Sequence, residues 1–141
     1  MSQVVSLRLK DAQAKRLERV AARLGRTRSE AAAVLLEEAV RREEFGLIEF
    51  RSTTRGREAF LHGTRIKAWQ LISLASDMGP DPDALAAHLG IPVELVRAGL
   101  AYADAFPDEI QAGLAAQDVS LEDLKRLLPG LEVFTMDAAT S

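Results

Sequence analysis

The hydrophobic period changes within the first 45 positions, and the change predicts one strand followed by two helices. From Asp11 to Leu24 apolar residues recur at spacings of three and four, which favours a helix that ends at Gly25. Thr27 to Glu30 is a capping-box sequence, and it predicts a second helix that ends near Glu44. Before these helices, residues 4–10 alternate as a half-buried strand does, with an apolar face of Val5, Leu7 and Leu9.

The predicted strand has no partner strand within these 45 residues. Unpaired backbone N–H and C=O groups beside a core are costly, so we expect a second copy of the chain to supply the partner. Two copies related by a two-fold axis would form an antiparallel ribbon, with Ser6 and Arg8 on its outer face. Such a ribbon fits the major groove of DNA, where arginine and serine bond to base edges.

Residues 4–44 resemble the ribbon-helix-helix family of repressors, which includes Arc, MetJ and the CopG group. The resemblance rests on the strand, the Leu24-Gly25 turn and the Thr27–Glu30 start of the second helix. In that family the outward strand residues read bases, and the start of the second helix binds a phosphate. The resemblance implies that residues 1–45 are a DNA-binding and dimerisation domain. The DNA contacts that it implies are made by Val4, Ser6, Arg8, Thr27, Arg28 and Ser29.

Simpler roles are open for several of these residues. Arg8 is also typical of an exposed edge charge that prevents aggregation, and Thr27 caps its helix in either case. Val4 stands where the family usually has a polar residue, so it contacts a thymine methyl or no base. The first helix has a basic face whose simplest role is solvation with partial attraction to phosphate; it consists of Lys15, Arg16, Arg19 and Arg23.

A second module is expected over residues 46–110. Residues 47–52 and 58–62 have the composition of two short strands, and residues 68–78 are apolar round most of a helix, which predicts a buried helix. Asp81 is placed to cap a helix that runs from Pro82 to Leu89, and a further helix follows Pro92. This spacing is that of a helix-turn-helix. Its second helix is net negative, which opposes DNA binding and favours a role as a scaffold for protein contacts.

Residues 56–110 resemble a family of small antitoxin domains of the VapB type, formerly a domain of unknown function, that accompany PIN-like toxins. The resemblance rests on the loop before the buried helix, on the helix capped by Asp81 and on residues 100–103. Lys67-Ala68 occupies the position where the family usually has a proline. Gly56-Arg57-Glu58 occupies the position of the family's usual Gly-Lys-Pro stretch. The alternative for the loop is a structural turn in which Arg65 bonds carbonyls. The loop signature is Gly63, Thr64, Arg65 and Ile66.

Residues 111–141 are expected to form a C-terminal tail that binds a partner. Ile110 and Leu114 predict one short helix, Ser120 to Leu128 predict another, and residues 131–134 alternate as a strand does. In the antitoxin family that the second module resembles, such a tail binds the toxin. The alternative is that residues 121–128 pack on the second module. The candidate toxin contacts are Leu121, Leu124, Lys125, Arg126, Leu128, Val133 and Phe134.

The charge of the chain is unevenly distributed. The 141 residues have a formal net charge of −3, but residues 1–74 hold 15 basic and 9 acidic residues, whereas residues 75–141 hold 3 basic and 12 acidic residues. A net charge of +6 in the first half suits a polyanion, and −9 in the second half suits a protein partner or a solvated surface. The sequence has no cysteine and no apolar run of about 18 residues, so we expect a cytoplasmic protein without membrane contact.

The sequence has no pattern typical of an enzyme, a metal site or a cofactor site. His62 and His88 lie 26 positions apart, and phosphate-binding loops and nucleophile elbows are missing. We expect a mainly α non-enzyme: a ribbon-helix-helix whose strand is completed by dimerisation, a helix-turn-helix-like domain and a tail. The hypothesis is an antitoxin of a type II toxin-antitoxin system, a homodimer that represses its own operon and neutralises a PIN-like ribonuclease. The alternative is a stand-alone ribbon-helix-helix transcriptional regulator with a protein-interaction domain.

Overall fold

The computed structural model describes residues 2–127, with side chains up to residue 117. The prediction of a mainly α protein is confirmed, since this part of the chain contains six helices and one antiparallel pair of strands. In chain order the elements are α1 (Asp11–Leu24), α2 (Arg28–Glu44), β1 (Ile48–Thr53), β2 (Gly56–Leu61), α3 (Ala68–Met78), α4 (Pro82–Leu89), α5 (Val93–Ala105) and α6 (Pro107–Leu127).

Local capping signals set the ends of several helices. The Thr27 hydroxyl accepts from the Glu30 N–H at 3.2 Å, and the Glu30 carboxylate accepts from the Thr27 N–H at 3.3 Å, so the capping box is confirmed. Asp81 caps α4 through the N–H of Asp83, and Pro82 occupies the first turn. Gly25 ends α1 in the left-handed region with φ 65°, where a side chain would be strained.

The two predicted strands of the second module form a hairpin. β1 and β2 pair antiparallel from Ile48 opposite Leu61 to Thr53 opposite Gly56. Two residues, Thr54 and Arg55, connect the strands, and Gly56 follows with φ 106°. The strands end within two residues of the predicted bounds, and the hairpin places one face against the helices.

The core lies between the hairpin and helices α3 to α6. Its fully buried side chains include those of Leu61, Leu71, Leu85, Val96 and Tyr102. The helix α3 packs against both α5 and α6, which agrees with its prediction as a central buried helix. A close approach of α5 to the hairpin requires Gly99, because a Cβ there would lie 2.6 Å from atoms of both Leu61 and Leu71.

The helix α6 is longer than the sequence predicts. Residues 107–127 form one continuous helix, so the expected boundary at residue 110 falls inside it and the two expected short helices are joined. Ile110 is buried in the core and Leu114 packs against it, which attaches the start of the expected tail to the second module. No proline interrupts residues 108–127, and a single glycine is tolerated inside a helix.

The N-terminal part has few buried residues in the single chain. The half-buried strand predicted over residues 4–10 is not present in the single chain, since residues 2–10 carry no secondary structure and are exposed. The buried apolar residues of α1 and α2 are Ala21 and Ala31. On α2 the side chain of Leu36 is half exposed, whereas Glu38 is only 8% exposed. The face of α2 that meets the second module is therefore partly polar.

Within residues 2–127 no single helix is both long and apolar enough to cross a membrane. The helices α4 and α5 reach the required length and hydropathy only together, across a bend of 119°.

The helix α6 depends on Gly113 for its contact with α3. A Cβ at this position would lie less than 3 Å from three atoms of Trp69. In an exposed helix Gly→Ala stabilises by about 1 kcal/mol, but an overpacked contact costs about 1–3 kcal/mol. After both effects are combined, we expect Gly113→Ala to lower the free energy of unfolding by up to about 2 kcal/mol in urea titrations.

The matched control is Gly46→Ala, because a Cβ at Gly46 would meet open space. This change should alter stability by less than about 0.5 kcal/mol. Trp69 is the sole tryptophan of the chain, so its emission reports the contact directly. A Gly113→Ala protein with wild-type emission and higher stability would contradict the packing of α6 on Trp69.

Candidate functional site

The predicted base-reading segment is exposed along its whole length. Val4, Ser6 and Arg8 are exposed, as the DNA-binding prediction requires. The opposite face is exposed too, with Val5 at 74%, Leu7 at 70% and Leu9 at 46%. The single chain therefore leaves both faces of the segment in solvent, and it does not separate a DNA-facing side from a core-facing side.

The predicted phosphate contact at the start of α2 has the geometry of a capped helix N-terminus. Thr27, Arg28 and Ser29 are all exposed. The capping bond uses the N–H of Glu30, while the N–H groups of Arg28 and Ser29 have no acceptor among the described residues. The hydrogen bond with Thr27 lowers the pKa of Glu30, so this carboxylate is charged at neutral pH.

Arg28 already has a partner in the single chain. Its Nη1 lies 3.2 Å from Oε1 of Glu18 on α1, and both side chains are more than half exposed. An exposed pair of this kind contributes little to stability, so a phosphate can compete for the guanidinium. The pair spans the corner between α1 and α2, beside the N-terminus of α2.

The Gly63-Thr64-Arg65-Ile66 loop is a structural turn between β2 and α3. The Thr64 hydroxyl donates to the Leu61 carbonyl at 2.8 Å and accepts from the Ile66 N–H at 3.0 Å. The Gly63 N–H donates to the Glu49 carboxylate at 2.8 Å. This network assigns a structural role to Gly63 and Thr64.

The alternative of a structural turn is therefore correct for this loop, but its assignment of the carbonyl contacts to Arg65 is wrong. Arg65 is exposed and has no hydrogen bond to the described residues. The guanidinium that does so belongs to Arg51, which donates to the Thr64 carbonyl at 2.6 Å, pairs with Glu49 and lies over the Phe60 ring. Arg51 precedes the loop on the neighbouring strand, and strand pairing brings it closer than the loop's own arginine.

A second polar centre surrounds Glu58, which the sequence analysis did not single out as a site. Its carboxylate accepts from Thr53 Oγ1 at 2.6 Å, from Trp69 Nε1 at 3.1 Å and from Lys67 Nζ at 3.0 Å. Burial alone would raise the pKa of Glu58, but these three donors outweigh burial and lower it. Glu58 therefore joins the hairpin to the start of α3, in a groove of about 350 Å³ that also reaches α6.

Polar contacts join α2 to the second module. The Arg57 guanidinium on β2 binds both carboxylate oxygens of Glu38, and this hydrogen bonding raises the pKa of Arg57. Arg41 donates to the Tyr102 hydroxyl at 2.8 Å and to Glu109 at 3.2 Å. Charged residues on the helix face that also carries Ala31 and Val34, as at Glu38 and Arg41, are the signal by which the sequence could have indicated this junction.

Tyr102 is the buried member of the junction. Its hydroxyl donates to Glu109 on α6, and its ring makes edge contacts with Phe45 and Phe50. Burial, followed by the hydrogen bond and the charge of Glu109, raises the pKa of Tyr102. The phenol is therefore neutral at physiological pH and acts as a hydrogen-bond donor.

The candidate toxin contacts lie at the limit of the described chain. Leu121, Leu124, Lys125 and Arg126 fall on α6, but their side chains are outside the described part. Leu128, Val133 and Phe134 lie wholly outside the described residues. The predicted strand over residues 131–134 is outside them as well.

The donors around Glu58 predict a pH-dependent contribution to stability. The pKa of Glu58 is lowered in the folded state, so its charged form stabilises the fold fully at a pH above the unfolded-state pKa, which is near 4.5. This contribution is lost as the pH falls through the folded-state pKa. We expect Glu58→Gln to lower the free energy of unfolding by about 1–3 kcal/mol at pH 7, as measured in urea. The difference from wild type should shrink below about pH 4.5.

The control for this change is Glu43→Gln, an exposed glutamate of α2 that has no ion pair with the described residues. It should change stability by less than about 0.5 kcal/mol at either pH. A Glu58→Gln deficit that stays constant from pH 7 to pH 3 would show that the charge of Glu58 does not stabilise the fold.

Comparisons with known proteins do not extend these assignments. No protein-family model, no curated protein and no solved structure matches this chain. The resemblances to ribbon-helix-helix repressors and to VapB-type antitoxin domains therefore rest on the residues quoted for them. The function must be inferred from those residues and from the geometry of the fold.

Proposed function

We propose that this chain is the antitoxin of a type II toxin-antitoxin system. It acts as a homodimer that binds operator DNA through residues 1–45, and it neutralises a PIN-like ribonuclease through its C-terminal half. The observation that carries the proposal is the exposure of the alternating apolar residues Val5, Leu7 and Leu9 in the single chain. A stable fold does not leave three such side chains in solvent next to unpaired backbone without a partner.

A second copy of the chain satisfies both requirements. Antiparallel pairing of residues 4–10 about a two-fold axis gives the backbone groups on the inner edge of each strand a partner and places the two apolar faces side by side. Complete burial of each valine or leucine side chain contributes about 1.5–3 kcal/mol. Dimer formation therefore orders the segment and leaves Ser6 and Arg8 on its outer face.

The charge distribution supports DNA as the partner of this outer face. The first 74 residues carry a net charge of +6, and Arg8 and Arg28 are exposed. Arginine bonds bidentately to guanine in the major groove, and the N–H groups of Arg28 and Ser29 suit a phosphate oxygen. Base contacts from Val4, Ser6 and Arg8 and phosphate contacts from residues 27–29 are part of the proposal.

The second half of the chain supports a protein partner. Residues 75–141 carry a net charge of −9, which repels nucleic acid. The helix α6 is held to the core at Ile110 and Leu114 and continues to Leu127. The proposed toxin contacts begin at Leu121, on the part of α6 that follows this attachment. The alternative function, a stand-alone transcriptional regulator, would bind DNA in the same way but would have no toxin as a partner.

The DNA-binding proposal predicts a specific effect of Arg8→Ala. This variant should bind duplex DNA from the region upstream of its gene about 1–3 kcal/mol more weakly than wild type, because a bidentate base contact is lost. The measurement is fluorescence anisotropy at fixed salt, with Arg97→Ala on α5 as the control for loss of one exposed arginine. Equal, weak binding by wild type and Arg8→Ala would remove the DNA claim.

The antitoxin proposal predicts a stable complex with a nuclease encoded next to this chain. Coexpression should relieve the growth arrest caused by the nuclease, and the two proteins should co-purify. Truncation after Ser120, which removes all of the proposed toxin contacts, should abolish both effects while DNA binding by residues 1–45 persists. A chain that binds upstream DNA yet neither co-purifies with the neighbouring product nor relieves growth arrest would be a stand-alone regulator.

A further inference from the structure

The outer face of α1 carries four cations. At about 100° per residue, Lys15, Arg16, Arg19 and Arg23 fall in one sector about 100° wide, and the partly buried Leu17 and Leu24 lie on the other side of the helix. We call Lys15, Arg16, Arg19 and Arg23 the α1 stripe. All four side chains are exposed.

The α1 stripe has no ion pair with the residues that the structure describes. The acidic residue within its length, Glu18, pairs instead with Arg28 on α2 at 3.2 Å. Four arginines nearer the second module do have carboxylate partners, namely Arg41, Arg51, Arg55 and Arg57. Like charges at spacings of four, as between Lys15, Arg19 and Arg23, destabilise a helix, so the stripe costs the fold stability.

The α1 stripe leads away from the proposed phosphate contact. Arg23 lies in the last turn of α1, two residues before the α1–α2 corner that the Arg28–Glu18 pair spans. From Lys15 to Arg23 the helix rises about 12 Å, and each DNA strand presents one phosphate per 3.4 Å of axis. The stripe therefore matches about three or four successive phosphates in length.

We propose that the α1 stripe binds the phosphate backbone of duplex DNA on the flank of the bases contacted by residues 4–8. The inference rests on the proposed DNA binding and adds a second surface to it. The stripe supplies affinity that does not depend on sequence, and it lengthens the DNA segment that each dimer covers.

The test compares two triple variants of the full chain that lose the same charge. The stripe variant is Lys15→Gln/Arg19→Gln/Arg23→Gln. The control variant is Arg42→Gln/Arg65→Gln/Arg97→Gln, which removes three exposed cations outside the stripe. Affinity is measured against salt concentration for the upstream duplex and for a mixed-sequence duplex of equal length, after circular dichroism has shown that each variant is folded.

The stripe variant should lose up to roughly 0.9 in salt slope for each cation removed, on both duplexes, while the control keeps the wild-type slope. The ratio of upstream to mixed-sequence affinity should be unchanged. The bases that the stripe variant protects define a shorter upstream duplex. Wild type and the stripe variant should bind this shorter duplex with equal affinity.

Three outcomes overturn the inference, and they differ from failure of the proposed function. If both triple variants lower the slope equally, overall charge is responsible and the stripe makes no contact. An unchanged slope in the stripe variant, with loss of co-purification with the neighbouring product, would assign the stripe to a protein. An unchanged slope with normal co-purification would leave the stripe as solvated surface. If wild type binds neither duplex, the proposed DNA binding fails and this inference fails with it.

Discussion

The junction between α2 and the second module determines how the N-terminal helices are held. Glu38 is the buried charged residue of α2, and Arg57 from β2 binds both of its carboxylate oxygens. A part-buried carboxylate that lost this partner would be strongly destabilising, so the pair fixes α2 against the hairpin. Arg41, Tyr102 and Glu109 add a second attachment, which includes α5 and α6. Since α1 packs on α2, its position relative to the core follows from these contacts.

The elements that the sequence predicts well are those set by local chemistry. The bounds of α1, α3 and α4 follow from residues within one turn of each end, such as Asp81, Pro82 and Gly25. The capping box at Thr27 is likewise a short-range interaction between residues three apart. Hydrophobic period and capping together therefore locate most helices without knowledge of the fold.

The features that the sequence does not predict depend on residues far apart in the chain or on a second chain. Arg41 and Tyr102 are 61 positions apart, and no local pattern indicates that they meet. Arg51 takes the carbonyl contact expected of Arg65 because strand pairing, not sequence order, sets the distance. The helix α6 continues past residue 110 because the core holds Ile110 and Leu114 on one helical face. Residues 2–10 carry no secondary structure in the single chain, and the alternation of residues 4–10 alone does not form a strand there.

The same junction explains why the basic excess of the first half is concentrated at its N-terminal end. The glutamates of α2 and the hairpin that pair with arginine include Glu37, Glu38, Glu49 and Glu58. Each pair neutralises a cation near the second module, whereas Lys15, Arg16, Arg19 and Arg23 of α1 form no ion pair with the described residues. The charge of +6 therefore belongs mainly to residues 8–28 rather than to the whole first half. The ion pairs that hold α2 against the second module therefore also neutralise the cations at this junction, and the unneutralised positive charge lies in the segment before α2 and on α1.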